Sequence, residues 1–153
     1  MPSTFGLNSK RSMTSIKPGY SGTKAFKKDG NALDNLNTVE LKAFVPAKDF
    51  ELSKQFYLDL GFTKASDSEG IAYFHHGNTS FLLQDFYEKA FAENLMMHLL
   101  VEDVYAWHEH ISRMDLAGKY GLTVSEVLSQ PWGMLDFHLH DPSGVLWRIA
   151  QNL

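Results

Sequence analysis

Lys48-Asp-Phe-Glu-Leu-Ser-Lys-Gln-Phe-Tyr-Leu-Asp-Leu-Gly-Phe62 reads as a helix with both ends marked. Asp49 stands at the N-cap, where a carboxylate accepts hydrogen bonds from the first free amides, and Gly61 supplies the left-handed turn that ends the helix. Leu52, Phe56 and Leu60 recur at i, i+4 and i+8, with Tyr57 beside Phe56, which predicts one buried stripe. Ahead of the helix, Val39-Glu-Leu-Lys-Ala-Phe-Val45 alternates as a strand and Pro46 closes it. Glu40, Lys42 and Phe44 share one face of that strand. Leu41, Ala43 and Val45 share the other and are expected against the helix.

The same order returns downstream. Asn94-Leu-Met-Met-His-Leu-Leu-Val101 is followed by Asp103 at a second N-cap and by Val104, Trp107, Ile111 and Met114 at helical spacing. Ile71–His76 and Thr79–Gln84 read as strands after the first helix, and Phe86 to Glu93 as a short helical linker. After the second helix come a loop at Ala117 to Leu122, a loop at Gln130-Pro-Trp-Gly133, and a strand at Met134–His140. A tight turn at Asp141-Pro-Ser-Gly144 leads into the last strand. A repeat of roughly 55 to 65 residues in two copies is too long for a solenoid and fits two tandem strand-helix-strand-strand-strand modules. The expected boundaries are 39–92 and 94–152.

At 153 residues, 44% hydrophobic and 13% aromatic, the chain suffices for one globular domain with a real core. It contains no cysteine, which excludes disulfides, thiolate metal sites and a cysteine nucleophile. No stretch is long and apolar enough to span a membrane or to form the core of a secretory signal, so a cytoplasmic protein without a membrane partner is expected. Residues 1–36 hold six Lys or Arg against Asp29 and Asp34, a net +4, which leaves −8 for residues 37–153 in a chain of −4. That segment is polar and aperiodic, which suits a basic extension ahead of a domain over 37–153. Its charge is too dispersed to predict a nucleic-acid partner.

Phe56-Tyr57-x-Asp59-Leu60-Gly61-Phe62 in the first half and Asp141-Pro-Ser-Gly-x-x-Trp147 in the second resemble signatures of the vicinal oxygen chelate superfamily. That superfamily comprises glyoxalase I, bleomycin-resistance proteins and ring-cleaving dioxygenases. The resemblance covers about Val39 to Gln151, and Gln130-Pro-Trp-Gly133 is similar to the bleomycin-resistance-like branch. It implies an α+β fold of two βαβββ modules whose curved mixed sheet surrounds a cup, and a homodimer.

In metal-dependent members the resemblance implies His, Gln or Glu ligands on the first and last strands of each module. Here Lys42 and Met96 fall seven residues before the capping aspartates and Arg148 four after the turn glycine; Leu82 or Gln84 occupies the fourth place. Neither Lys nor Arg offers a lone pair near neutral pH, so the familiar site is broken. Side-chain parity lines the cup with Lys42, Phe44, Gln84, Met96, His98, Asp136, His138 and Arg148, with Trp132 in a nearby loop. This mixture of cations, imidazoles and flat apolar surface predicts metal-independent, cofactor-free binding of a small molecule, and the resemblance to the bleomycin-resistance-like branch implies that the ligand is sequestered and not transformed.

Lys42 and Arg148, coming from opposite modules toward one cup, predict an anionic ligand gripped by Arg148 with Trp132 stacked on it. The plainer reading pairs Lys42 with Glu40 and Arg148 with Asp136, and uses Trp132 to plug the cavity. The alternative function is a lyase, isomerase or dioxygenase with a displaced metal on His98, His138 and His140. A third is an interaction module working through the basic extension. His75, His76, His108 and His110 are expected to be structural.

Overall fold

The computed structural model describes residues 35–153; residues 1–34, and with them all but the last two positions of the expected basic extension, lie outside the described residues. The Asp49 carboxylate accepts from the Leu52 amide at 3.0 Å and starts helix α1, Phe50–Leu60. Gly61, at φ 117°, turns the chain out of it. Asp103 does the same for α3, Val104–Arg113, accepting from the Ala106 amide at 2.9 Å.

Around these helices lie β1 (Phe44–Pro46), β2 (Thr63–Ser68), β3 (Ile71–His76), β4 (Thr79–Gln84), a linking helix α2 (Lys89–Asn94), β5 (Met96–Leu100), α4 (Leu116–Tyr120), β6 (Leu128–Gln130), β7 (Met134–His140) and β8 (Leu146–Asn152). The strands form two four-stranded sheets, ordered β1-β4-β3-β2 and β5-β8-β7-β6. In each, the first pair is parallel and the others antiparallel. The identical order in both halves is the expected βαβββ repeat, an α+β fold.

Both sheets turn one face to a single core. Val45, Phe74, Phe81 and Leu83 come from the first sheet, and Leu99, Phe137, Leu139, Trp147 and Ile149 from the second. The two sets meet at Trp147, whose ring lies 5.4 Å from Phe81 and 5.7 Å from Phe62, with Tyr57 of α1 at 5.6 Å. The Tyr57 hydroxyl donates to Asp141 Oδ2 at 2.5 Å and accepts from Trp147 Nε1 at 3.0 Å. Asp141 Oδ1 accepts from the amides of Ser143 and Val145, both at 2.9 Å. Burial pushes the Asp141 carboxyl above its usual range and, with that carboxylate alongside, the Tyr57 phenol well above its own. The turn Asp141–Gly144 thus ties the last strand of module two to the helix of module one.

Four local expectations change. The buried side of α1 is Ser53, Lys54, Phe56, Tyr57 and Leu60, while Leu52 is 44% exposed. Ser53 packs at 3.4 Å on Ser143 Oγ, which also accepts from the Lys48 amide, so the helix leans on its small residue; Leu52 lies roughly a quarter turn away from Ser53 and Leu60. Leu41, expected against the helix, is 95% exposed, because β1 begins only at Phe44, where β4 offers partners. Residues 117–122 are not all loop: α4 is held by the fully buried Leu116, by Asp115 capping Gly118, and by the Tyr120 hydroxyl on Asp59 at 2.8 Å. Gln130 belongs to β6, and the turn proper is Pro131–Gly133. No helix among the described residues is long and apolar enough to cross a membrane.

Candidate functional site

Strand parity decides which side chains leave the core. On the second sheet, odd-numbered residues of β5, β7 and β8 pack inward, so Met96, His98, Asp136, His138 and Arg148 stand on the outer face. Register then sets the rows: His98 lies opposite Arg148 and Arg148 opposite His138, while Leu100, Ala150 and Asp136 form the next row.

The centre of this face is a charge network. Arg148 Nη1 donates to Asp136 Oδ2 at 2.7 Å, and Gln130 Nε2 donates to Asp136 Oδ1, also at 2.7 Å. Asp136 is 2% exposed although its side chain is on the outer face, because Arg148 and Gln130 cover it. Trp132, 60% exposed in the β6–β7 turn, is not a plug; its ring centroid lies 5.9 Å from the Arg148 guanidinium carbon.

On the first sheet, Phe44 and Leu82 are cross-strand partners, and Tyr73 pairs with Leu82 on the next strand. Gln84 ends β4, half-buried, opposite Pro46 and Ile71. Just before β1, Lys42 Nζ meets Glu40 Oε2 at 2.5 Å and sits 5.1 Å above the Tyr73 ring. Glu40 also accepts from the hydroxyls of Tyr73 at 2.9 Å and Ser80. Lys42 and these hydroxyls hold the Glu40 carboxyl down to about 2.

The expected residues are therefore brought together in two sets. Met96, His98, Trp132, Asp136, His138 and Arg148 share one surface, and Lys42, Phe44 and Gln84 belong to the other sheet. Each set lies on the side of its sheet turned away from the common core. Both cations also have carboxylate partners, which removes the argument that unpaired charge demands an anion.

Gln130, Tyr73 and Ser80 were missed in the sequence, whereas the plainer pairing of Lys42 with Glu40 and of Arg148 with Asp136 is the one the structure shows. The signal for Gln130 was the hairpin: Leu128 pairs with Asp136 and Gln130 with Met134, which makes Gln130 and Asp136 diagonal same-face neighbours.

The donor set does not fit the divalent metal of the enzymes in this fold. Lys42 and Arg148 are engaged as cations, Met96 offers a thioether 56% exposed to water, and Arg148 stands between His98 and His138. His140 is exposed at the end of β7, opposite Leu146, whereas His108, His110 and His76 make packing contacts within the fold. His108 Nε2 lies 3.1 Å from the Ser125 carbonyl, with its ring edge-on to Phe137. His110 Nε2 lies 3.1 Å from the Asp59 carbonyl, and His76 packs on Trp107 and Phe62.

A family model described as the glyoxalase/bleomycin resistance protein/dioxygenase superfamily matches residues 36–149. The chain belongs to that superfamily. Among solved structures, this superfamily member is similar to a bleomycin-binding protein from Streptomyces verticillus complexed with copper(II)-bleomycin. The TM-score is 0.63 at 24% identity, over 76% of this chain and 100% of that one. It is similar also to TnmS3, an antibiotic binding protein from Streptomyces sp. CB03234, with TM-score 0.62, 23% identity, and coverage of 78% and 100%. Lactoylglutathione lyase from Agrobacterium tumefaciens shares the fold at TM-score 0.57 and 15% identity, over 75% and 94%. Binders and an enzyme thus share this backbone, and function has to be argued from the side chains. No curated protein matches the chain in sequence.

Proposed function

We propose that this protein is a cytoplasmic homodimer that binds a small molecule and releases it unchanged, without a divalent metal. Each cup is lined by the outer face of β5-β8-β7-β6 and closed by the outer face of β1-β4-β3-β2 from a second copy. The observation that carries this reading is the Arg148–Asp136 pair, standing where the superfamily's metal-dependent members place a ligand. A guanidinium anchored there supplies hydrogen-bond donors and no lone pair. One further observation supports the dimer: Met96, Leu100, Leu128 and Trp132 are each more than half exposed on or beside the outer face of the second sheet. The bleomycin-binding neighbours supply the ligand class for a first trial. The function is assigned to residues 37–153, with the extension over 1–36 dispensable: brief proteolysis of the full chain is expected to leave a binding-competent fragment near Val39–Gln151.

The test is titration of the purified full chain with bleomycin, followed by Trp fluorescence, with and without a chelator. Saturable quenching, one drug per cup in a two-chain particle, drug recovered with its mass unchanged, and indifference of affinity and melting temperature to chelator are expected. Chemically altered drug, or a stoichiometric divalent ion whose removal lowers the melting temperature, overturns the reading.

A further inference from the structure

The Gln130–Asp136–Arg148–Trp132 network bears on which ligand groups the second sheet accepts. Arg148 carries a full charge, yet its carboxylate partner is 2.7 Å away and itself 2% exposed, so the pair presents no net charge outward. The guanidinium has five N–H donors, and among the described residues Asp136 is its only hydrogen-bonded partner, through Nη1. Gln130 holds the other oxygen of Asp136, which fixes the carboxylate and through it the guanidinium beside Trp132. His98 and His138 flank Arg148 in the same row, both exposed.

An anion arriving here gains from Arg148 but is opposed by Asp136 directly behind it. It must also shed its own hydration and approach a domain of net −8. A cation meets a guanidinium at the surface while the compensating carboxylate is covered. A neutral acceptor loses little hydration and takes an N–H that no described residue uses.

We propose that this face recognises an uncharged, planar group bearing a hydrogen-bond acceptor, stacked on Trp132 and accepting from Arg148. Asp136 and Gln130 act as positioning residues that neutralise and aim the guanidinium. The inference rests on the small-molecule reading above and narrows its ligand class.

Four probes of one shape separate the possibilities in the full chain: 2-naphthamide (neutral acceptor), 2-naphthoate (anion), 2-naphthylmethylammonium (cation) and 2-methylnaphthalene (no acceptor). Wild type is expected to bind 2-naphthamide best, with quenching that disappears in Trp132→Phe. Asp136→Asn keeps an acceptor for Arg148 but uncovers its charge, so the affinity ratio of naphthoate to naphthamide should rise roughly tenfold. Should Asp136→Asn fail to fold, Arg148→Met serves instead and should bring naphthamide down to the level of 2-methylnaphthalene. A wild type that prefers naphthoate, or an Asp136→Asn ratio equal to wild type, overturns the proposal, as does binding of all four probes alike. Absence of binding by every probe overturns it too, and bleomycin binding in the same preparation then leaves the sequestration reading standing.

Discussion

On the first sheet the carboxylate of the outward ion pair, Glu40, stands at the surface; on the second, Asp136 is closed off by Arg148 and Gln130. The two pairs differ in reach as well. Glu40 and Lys42 are two residues apart, just ahead of β1, and can find each other in any extended chain. Arg148 and Asp136 lie on neighbouring strands and meet only when β7 and β8 are in register. An exposed local pair is screened and its loss is absorbed by water, whereas a covered pair makes each partner depend on the other. The first sheet's pair is surface chemistry, and the second sheet's is built into the site.

The largest effect should come from the contact that joins the modules behind both faces. Tyr57→Phe removes the donor to Asp141 and the acceptor of Trp147 Nε1, leaving two buried polar atoms unpartnered, at a cost of about 2–4 kcal/mol in denaturant unfolding. The deficit should have a pH signature. Asp141 has a folded pKa raised by burial, so its ionised form carries a penalty that is present above that pKa and relieved as pH falls through it. Losing the Tyr57 bond raises the pKa further, and the gap between Tyr57→Phe and wild type should narrow on acidification from neutral pH. A gap that widens would show that the hydroxyl does not serve the carboxylate.

Asp136→Asn is the next in size. It should lower stability by about 1–2 kcal/mol, since Arg148 keeps a hydrogen bond but loses its counter-charge in a partly covered place. Glu40→Gln on the other sheet should be indistinguishable from wild type in the same denaturant curve. Equal losses for the two substitutions would erase the contrast between the sheets.

The smallest effect concerns acid. Lys54 pairs with Asp67 at 2.7 Å, and Lys64 reaches the same oxygen at 2.9 Å; together they hold the Asp67 carboxyl below its usual value. Asp67 therefore contributes stability that is complete above the ordinary carboxylate pKa of about 4 and is lost as pH falls through its lower folded value. Lys54 is raised chiefly by the same partner, so its share is complete below its ordinary pKa and lost only as pH rises through the folded one. Hydrogen exchange at pH near 3 should accordingly loosen the α1–β2 contact before the Asp141 turn, whose buried carboxyl gains from protonation. Simultaneous loosening would mean that the two modules respond to acid as one unit.

Much of the backbone was legible in the residues. Asp49, Asp103 and Gly61 mark helix ends through bonds made within three or four residues. Phe81/Leu83 and Phe137/Leu139 reveal their faces because a strand has a period of two. Features too short to show a period were not legible. The five residues of α4 and the three of β6 carry no repeat, and each exists because something distant holds it: Asp59 for Tyr120, and Asp136 for Gln130.

The site divides along the same line. Parity alone placed Met96, His98, Asp136, His138 and Arg148 on one face, and the residue types alone put two cations and a thioether at three of the places that the superfamily resemblance marks for metal ligands. That Arg148 would be neutralised by Asp136, that Gln130 would orient the pair, and that the two sheets would spend their apolar faces on one shared core were decided by tertiary structure. Caps and alternation depend on neighbours a few bonds away and can be read in order. Pairing across strands and the meeting of Trp147 with Tyr57 and Phe81 depend on which surfaces find each other once the chain has closed on itself.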